Sequence, residues 1–157
     1  MEITITINGE RKKIHISPTE KLLDVLRRCG YKSVKKGCET GNCGACVVLL
    51  DGKLVNSCTV LAIRANNREI ITVEGLGSIN NPHPIQEAFA ESGAVQCGYC
   101  VPGSILATKA LLDRNSNPSE EEIKEALDGN LCRCTGYVKR IEAVKLAAKK
   151  MRNKNEK

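Results

Sequence analysis

The chain opens on strict alternation. Ile3, Ile5 and Ile7 are separated by threonines, Asn8-Gly9 follows, and Lys12, Ile14 and Ile16 resume the alternation. Period-two patterning on both sides of Asn-Gly predicts a β-hairpin with a two-residue turn. Ser17-Pro18-Thr19-Glu20 then reads as a helix start, with Ser17 as cap, Pro18 at the first helical position and Glu20 closing a capping box. Leu22, Leu23, Val25 and Leu26 supply the apolar face of that helix, and Gly30 ends it. A second hairpin pairs Val47 to Leu50 with Lys53 to Ser57 across Asp51-Gly52. A short helix over Val60 to Ala65 and a strand from Ile70 to Val73 follow. Hairpins, one helix and a closing strand make an α+β unit of the ubiquitin-like kind.

The period then changes. Gly75 to Pro84 is dense in glycine, asparagine and proline, which marks a linker, and His83 within it reads as a solvated loop residue. Beyond it the apolar spacing is helical, over Ile85 to Ser92, Val101 to Asp113, Ser119 to Asp128 and Tyr137 to about Met151. Asn117-Pro118-Ser119 with Glu122 is another capping-box start. The expected organisation is a domain over 1–75, a linker over 76–84, and a small helical bundle over 85–157 with a basic tail. His15 falls on the polar side of its strand and reads as exposed and idle. Lys145 to Lys157 reads as a solvated helix face fraying into a tail.

Composition sharpens this picture. One Phe, three Tyr and no Trp leave two small domains little aromatic surface to bury, so a covalent or metal staple is expected. Nine cysteines are the available material. No secretory signal or membrane span is readable, which points to the cytoplasm, where disulfides are rare, and an odd count cannot all pair. Metal binding is the better use.

Cys38, Cys43 and Cys46 stand as C-x4-C-x2-C within GCETGNCGAC, the plant-type [2Fe–2S] spacing. Gly37, Gly41 and Gly44 let that loop wrap with its N–H groups facing sulfur. Pairing Leu50 with Lys53 sets Cys46 opposite Ser57, so Cys58 returns beside Cys46 as the fourth ligand. Cys29 is left out, as a structural thiol at a helix end. Farther on, Cys97 and Cys100 form C-x2-C at a helix start, and Cys132 and Cys134 form C-x-C between two helices. Together they make a second four-thiolate site, favoured by helix N-termini. Zinc is the competing metal at both, though it usually takes two short knuckles. The formal net charge of +6 falls to about +2 once two clusters, each adding about −2 with its thiolates, are counted. Nucleic-acid binding is therefore disfavoured, since stacking aromatics are also scarce.

Taken together, GCETGNCGAC, GAVQCGYCVPG and GNLCRCTGY, in that order, resemble the small iron–sulfur subunit or fused N-terminal region of the molybdenum hydroxylases. That family includes xanthine dehydrogenase, aldehyde oxidoreductase, nicotinate dehydrogenase and the aerobic carbon monoxide dehydrogenases. The resemblance runs from about Ile3 to Ala148. It implies a plant-ferredoxin-like β-grasp domain followed by a helical bundle, each holding a [2Fe–2S] cluster. It implies that electrons pass from a molybdopterin site first to the Cys97, Cys100, Cys132 and Cys134 cluster. The Cys38, Cys43, Cys46 and Cys58 cluster then hands them to FAD. It sets Gln96 and Cys134 against the pterin, although Gln96 on its own reads as a surface residue. The chain has no room for molybdenum or flavin domains. A large molybdopterin-binding subunit and a medium FAD-binding subunit are therefore implied, in a heterotrimer or its dimer. No catalytic residue is expected here. The texture around Gly93 to Gln96 leans toward the xanthine and nicotinate branch. The alternative function is a diffusible two-cluster ferredoxin.

Overall fold

A computed structural model of the chain describes residues 1–155. The elements are β1 (Glu2–Ile7), β2 (Glu10–His15), α1 (Leu22–Arg28), β3 (Val47–Leu50), β4 (Lys53–Asn56), β5 (Glu69–Ile71), α2 (Pro84–Glu91), α3 (Val101–Arg114), α4 (Glu120–Asp128) and α5 (Val138–Asn155). The fold is α+β. Its mixed sheet has the order β2-β1-β5-β3-β4, with β1 and β5 parallel and the other pairs antiparallel.

Both hairpins form in the expected registers. Ile7 pairs with Glu10 across Asn8-Gly9, and Leu50 with Lys53 across Asp51-Gly52. All four turn residues take positive φ, as a type I′ turn requires. The isoleucines of β1 join Leu22, Leu23, Val25 and Leu26 of α1 in one core. Strand β3 is apolar without alternation, and the structure explains why. Val48 and Leu50 face the α1 core, while Val47 and Leu49 pack on Leu106 of α3. A strand covered on both faces has no polar side. The bundle thus docks on the sheet instead of trailing from it. Its own core gathers Ile85, Phe89, Leu111, Leu112, Ile123, Leu127 and Val144.

Several boundaries differ from the sequence expectation, each for a local reason. Helix α1 starts at Leu22 rather than at Pro18. Lys21 bridges Leu61, and the Leu22 N–H donates to the Val60 carbonyl at 2.8 Å, which holds the entry extended. Only the Glu20 half of the anticipated box survives, its carboxylate accepting from the Ser17 N–H at 3.1 Å. Gly30, at φ 99°, ends the helix as anticipated; the Tyr31 N–H reaches Leu26 and the Gly30 N–H reaches Arg27. Val60 to Ala65 narrows to a 3-10 turn over Ala62–Ala65, and the last strand stops at Ile71. His83 is a helix cap, not a solvated loop residue: its Nδ1 accepts from the Ile85 N–H at 3.2 Å while Gln86 accepts from the His83 N–H at 2.8 Å. The Ser119 and Glu122 capping box forms as read.

Helix α5 starts at Val138 because Tyr137 sits at φ 69°, outside right-handed helical space. Its basic end is not a bare solvated face. Lys150 reaches Glu87 at 3.2 Å and Glu91 at 2.6 Å on α2, and Lys145 reaches Glu120 at 2.6 Å. The outermost part of the anticipated tail, residues 156–157, lies outside the described residues. His15 is exposed, as read, with Glu2 at 3.6 Å. Among the described residues no helix is long and apolar enough to cross a membrane.

Candidate metal centres

The first centre is built on a loop that folds around sulfur. The N–H groups of Asn42 and Cys43 donate to Cys38 Sγ at 3.2 and 3.3 Å, and that of Thr40 at 3.4 Å. The Cys38 N–H returns a bond of 3.3 Å to Cys43 Sγ. With the Thr40 hydroxyl leading and the amides behind it, these donors bring the Cys38 thiol down to about 6. This is the response of a site shaped for anionic sulfur. Gly37 leaves room for sulfur: a Cβ there would stand 2.5 Å from Cys43 Sγ and displace that thiol.

Cys46 and Cys58 come from the open end of the β3–β4 hairpin. The Ser57 N–H and hydroxyl both donate to the Cys46 carbonyl, at 3.4 and 2.7 Å, so the register carries on past Asn56. Both cysteines are buried, and burial, with the neighbouring Cys58 thiol as a lesser cause, pushes Cys46 up to about 11. Cys29 lies at the end of α1, half-buried against the same core that holds Cys46 and Cys58.

The second centre joins the loop before α3 to the loop before α5. Its thiols also meet in pairs: Cys100 with Cys132, and Cys97 with Cys134. Burial raises Cys100 to about 11. Burial also acts upward on Cys132, but the hydroxyl and N–H of Thr135, at 3.2 and 3.5 Å from its Sγ, bring it down to about 7. The hydrogen bond with the Cys97 thiol raises Cys134. The Tyr137 hydroxyl, accepting from the Cys132 N–H at 2.9 Å, pins the start of the loop. Cys100 and Cys132 are half-buried, while Cys97 and Cys134 are exposed beside exposed Gln96. Exposed Val95, Tyr99 and Leu131 lie on the same two loops, and exposed Val138 opens α5.

Both centres therefore present cysteines two by two. Among the described residues, no three His, Cys, Asp or Glu side chains gather where one ion could sit. A two-iron core asks for two thiolates at each iron, a demand that matches the pairs Cys38/Cys43 and Cys46/Cys58, and Cys100/Cys132 and Cys97/Cys134. A single tetrahedral zinc asks for four at one point.

The two loops are sewn together. The Leu131 N–H donates to the Cys43 carbonyl at 3.0 Å, and Asn130 Nδ2 to the Gly44 carbonyl at 3.0 Å. Gly44, at φ 70°, and Gly103 leave no room for a side chain at this seam: a Cβ on Gly44 would lie 2.1 Å from the Gly129 carbonyl. Tyr99 adds a bond from its hydroxyl to the Lys36 carbonyl. Sequence reasoning did not single out Asn130, Gly103 and Tyr99 as the seam. The tight spacing of Gly129-Asn130 to Cys132 was the available signal.

Comparison with known proteins agrees with this geometry. Residues 5–69 match the 2Fe-2S iron-sulfur cluster binding domain, and residues 72–145 match the [2Fe-2S] binding domain. The chain is 49% identical over 152 residues to the nicotinate dehydrogenase small FeS subunit of Eubacterium barkeri, covering 96% of this chain and 97% of that one. It belongs to the small iron–sulfur subunits of the molybdenum hydroxylase family. The xanthine dehydrogenase iron-sulfur-binding subunit of Escherichia coli O157:H7 is 48% identical over 140 residues, 86% of each chain. Among solved structures, quinoline 2-oxidoreductase from Pseudomonas putida 86 superposes with a TM-score of 0.93 at 39% identity, covering 98% of this chain and 96% of that chain. As a member of this iron–sulfur subunit family, the chain is an oxidoreductase component with two [2Fe–2S]-binding domains.

Proposed function

We propose that the chain is the electron-transfer subunit of a multi-subunit molybdenum hydroxylase acting on a purine or other N-heterocycle. Cys38, Cys43, Cys46 and Cys58 would hold one [2Fe–2S] cluster, and Cys97, Cys100, Cys132 and Cys134 the other. When bound, these clusters supply one-electron redox chemistry. The chain itself does the rest: amides and hydroxyls aimed at Cys38 and Cys132 favour thiolate sulfur, and the seam fixes the spacing between the two sites. The observation that carries the reading is the loop wrapped around sulfur, where the N–H groups of Asn42, Cys43 and Thr40 donate to Cys38 Sγ at 3.2, 3.3 and 3.4 Å and the Cys38 N–H donates to Cys43 Sγ at 3.3 Å.

The direction of flow, from the Cys97–Cys134 side to the Cys38–Cys58 side and on to FAD, rests on family membership and on exposure. Cys97, Cys134 and Gln96 are bare on a face that also carries Val95, Leu131 and Val138. A self-sufficient shuttle has no use for that apolar face, whereas a large molybdopterin-binding subunit would cover it and set Gln96 and Cys134 against the pterin. A medium FAD-binding subunit completes the assembly, a cytoplasmic heterotrimer or its dimer. Residues 1–75 and 85–157 act as the two cluster-binding domains, with 76–84 between them. The N-heterocycle assignment follows the relatives named for nicotinate and xanthine.

Low-temperature EPR of the dithionite-reduced protein tests this reading. Two distinct [2Fe–2S] signals integrating to about two spins per chain are the expected result. One signal would reject one ligand set, and none would overturn the proposal.

A further inference from the structure

Among the described residues, one buried charge in the bundle has no partner of opposite charge. Arg140, on the first turn of α5, is 1% exposed. Its Nη1 donates to the Asn130 carbonyl at 2.8 Å and its Nη2 to the Ser104 hydroxyl, while its Nε has no acceptor. Among the described residues no Asp or Glu forms an ion pair with it. An isolated guanidinium in a protein interior is costly, and buried charges are ordinarily paired. The surroundings name the missing partner. Ser104 donates onward to the Cys100 carbonyl at 2.9 Å. The guanidinium lies 5.4 Å from the ring centre of Tyr137, whose hydroxyl holds the Cys132 N–H. Asn130 precedes the Leu131-Cys132 turn and also grips the Gly44 carbonyl. Arg140 thus sits behind Cys100 and Cys132, the two half-buried thiols of the second centre, and its field acts to lower Cys100 against burial. Of the other cations nearby, Arg133 is exposed, and Lys139 is exposed and paired with Glu142 at 2.7 Å. Water screens both.

We propose that Arg140 is the internal counter-charge of the second iron–sulfur centre, a positioning residue that raises that centre's reduction potential. The inference rests on the reading of Cys97, Cys100, Cys132 and Cys134 as cluster ligands. The sign follows from charge alone. Four thiolates and an oxidised two-iron core sum to a dianion, reduction adds one more negative charge, and a fixed cation stabilises the reduced form more. Removing it favours the oxidised form. The first centre, reached only across the seam, feels much less.

The test is an EPR-monitored redox titration of the full chain, wild type against Arg140→Lys, Arg140→Gln and Arg140→Met. In the Gln and Met variants the reduced-to-oxidised ratio of the second cluster, at the wild-type midpoint, is expected to fall at least tenfold. That corresponds to 59 mV for a one-electron couple. The first cluster stays within a factor of two, and Lys restores most of the second cluster's ratio. Failure of Gln and Met to retain the second signal, with retention in Lys, also supports the counter-charge. An unchanged ratio in a loaded Gln or Met variant overturns it. So does an equal shift of both clusters, or loss of the second signal in Lys as well, since a purely structural joint would behave that way. A wild-type protein without a second [2Fe–2S] signal overturns the ligand reading and this proposal together, an outcome distinct from a normal wild type with indifferent variants.

Discussion

Gly44→Ala is the sharpest probe of the seam between the two cysteine loops. The substitution acts in three ways. Holding alanine at φ 70° costs about 1–2 kcal/mol. The new Cβ, built 2.1 Å from the Gly129 carbonyl and 2.5 Å from Asn130 Nδ2, meets buried backbone, an overpacking of about 1–3 kcal/mol. Moving away from that contact breaks the buried bond from Asn130 to the Gly44 carbonyl, worth about 1–3 kcal/mol when the partners stay unsatisfied. The sum, about 3–8 kcal/mol, is a large share of a typical domain's ~5–15 kcal/mol. Gly93→Ala is the matched control. Gly93 has nearly the same angle, φ 69°, with nothing within 4 Å of an added Cβ, so only the backbone cost of about 1–2 kcal/mol applies. Urea unfolding followed by far-UV circular dichroism reads the difference. Midpoints are compared instead of free energies, because cluster loss breaks two-state behaviour. With slopes of about 1–3 kcal/mol per molar, Gly44→Ala should fall below Gly93→Ala by at least about 0.7 M. Equal midpoints would refute the argument that steric closure of the seam, and not glycine's freedom alone, requires Gly44.

Two further outcomes follow from the centres themselves. Cys58→Ser should abolish the first cluster's EPR signal and leave the second, whereas Cys29→Ser should leave both, since Cys29 caps the end of α1 and lies outside the hairpin end and loop that carry the other four thiols; loss of a signal in Cys29→Ser would reassign the fourth ligand. In metal-free protein Cys38, lowered from 9.0 to about 6 by the Thr40 hydroxyl and the loop amides, should be alkylated by iodoacetamide at pH 7 well before Cys46, raised to about 11. The linkage has a definite sign: a folded-state value below the unfolded one stabilises fully above about pH 9 and is lost as pH falls through about 6. Mass-mapped labelling from pH 5 to pH 9 checks this, and equal rates at Cys38 and Cys46 would contradict it.

The sequence was most readable where local rules act alone. Asn8-Gly9 and Asp51-Gly52 dictate hairpins by backbone angle, and the second of them placed Cys58 beside Cys46 by counting register. The Ser119 box needs nothing from elsewhere in the chain. The errors arose where tertiary contacts override local signals. Pro18 and Glu20 advertise a helix start, but Lys21 and Leu22 are held extended by Leu61 and Val60, which lie far along the chain. His83 sits among glycines and prolines that announce a linker, and nothing short of the helix end above it shows that its ring is a cap. The continuous apolar run Val47 to Leu50 carried the clue that the sheet is covered twice, yet only Leu106 shows by what. Arg140 gave no sign at all: among the lysines and arginines of its helix, periodicity alone does not separate a buried cation from a solvated one.

The bond from Leu131 to Cys43 has a consequence for how the halves of the molecule relate. A chain segment rich in glycine and proline suggests a tether along which two bodies drift. Here the interval between the two cysteine loops is held across the seam, and the connecting peptide is itself fixed, with Leu76 packed on the bundle core. The distance between the two cysteine loops is set by the Leu131 amide on the Cys43 carbonyl, the Asn130 side chain on the Gly44 carbonyl and the glycine that lets them meet.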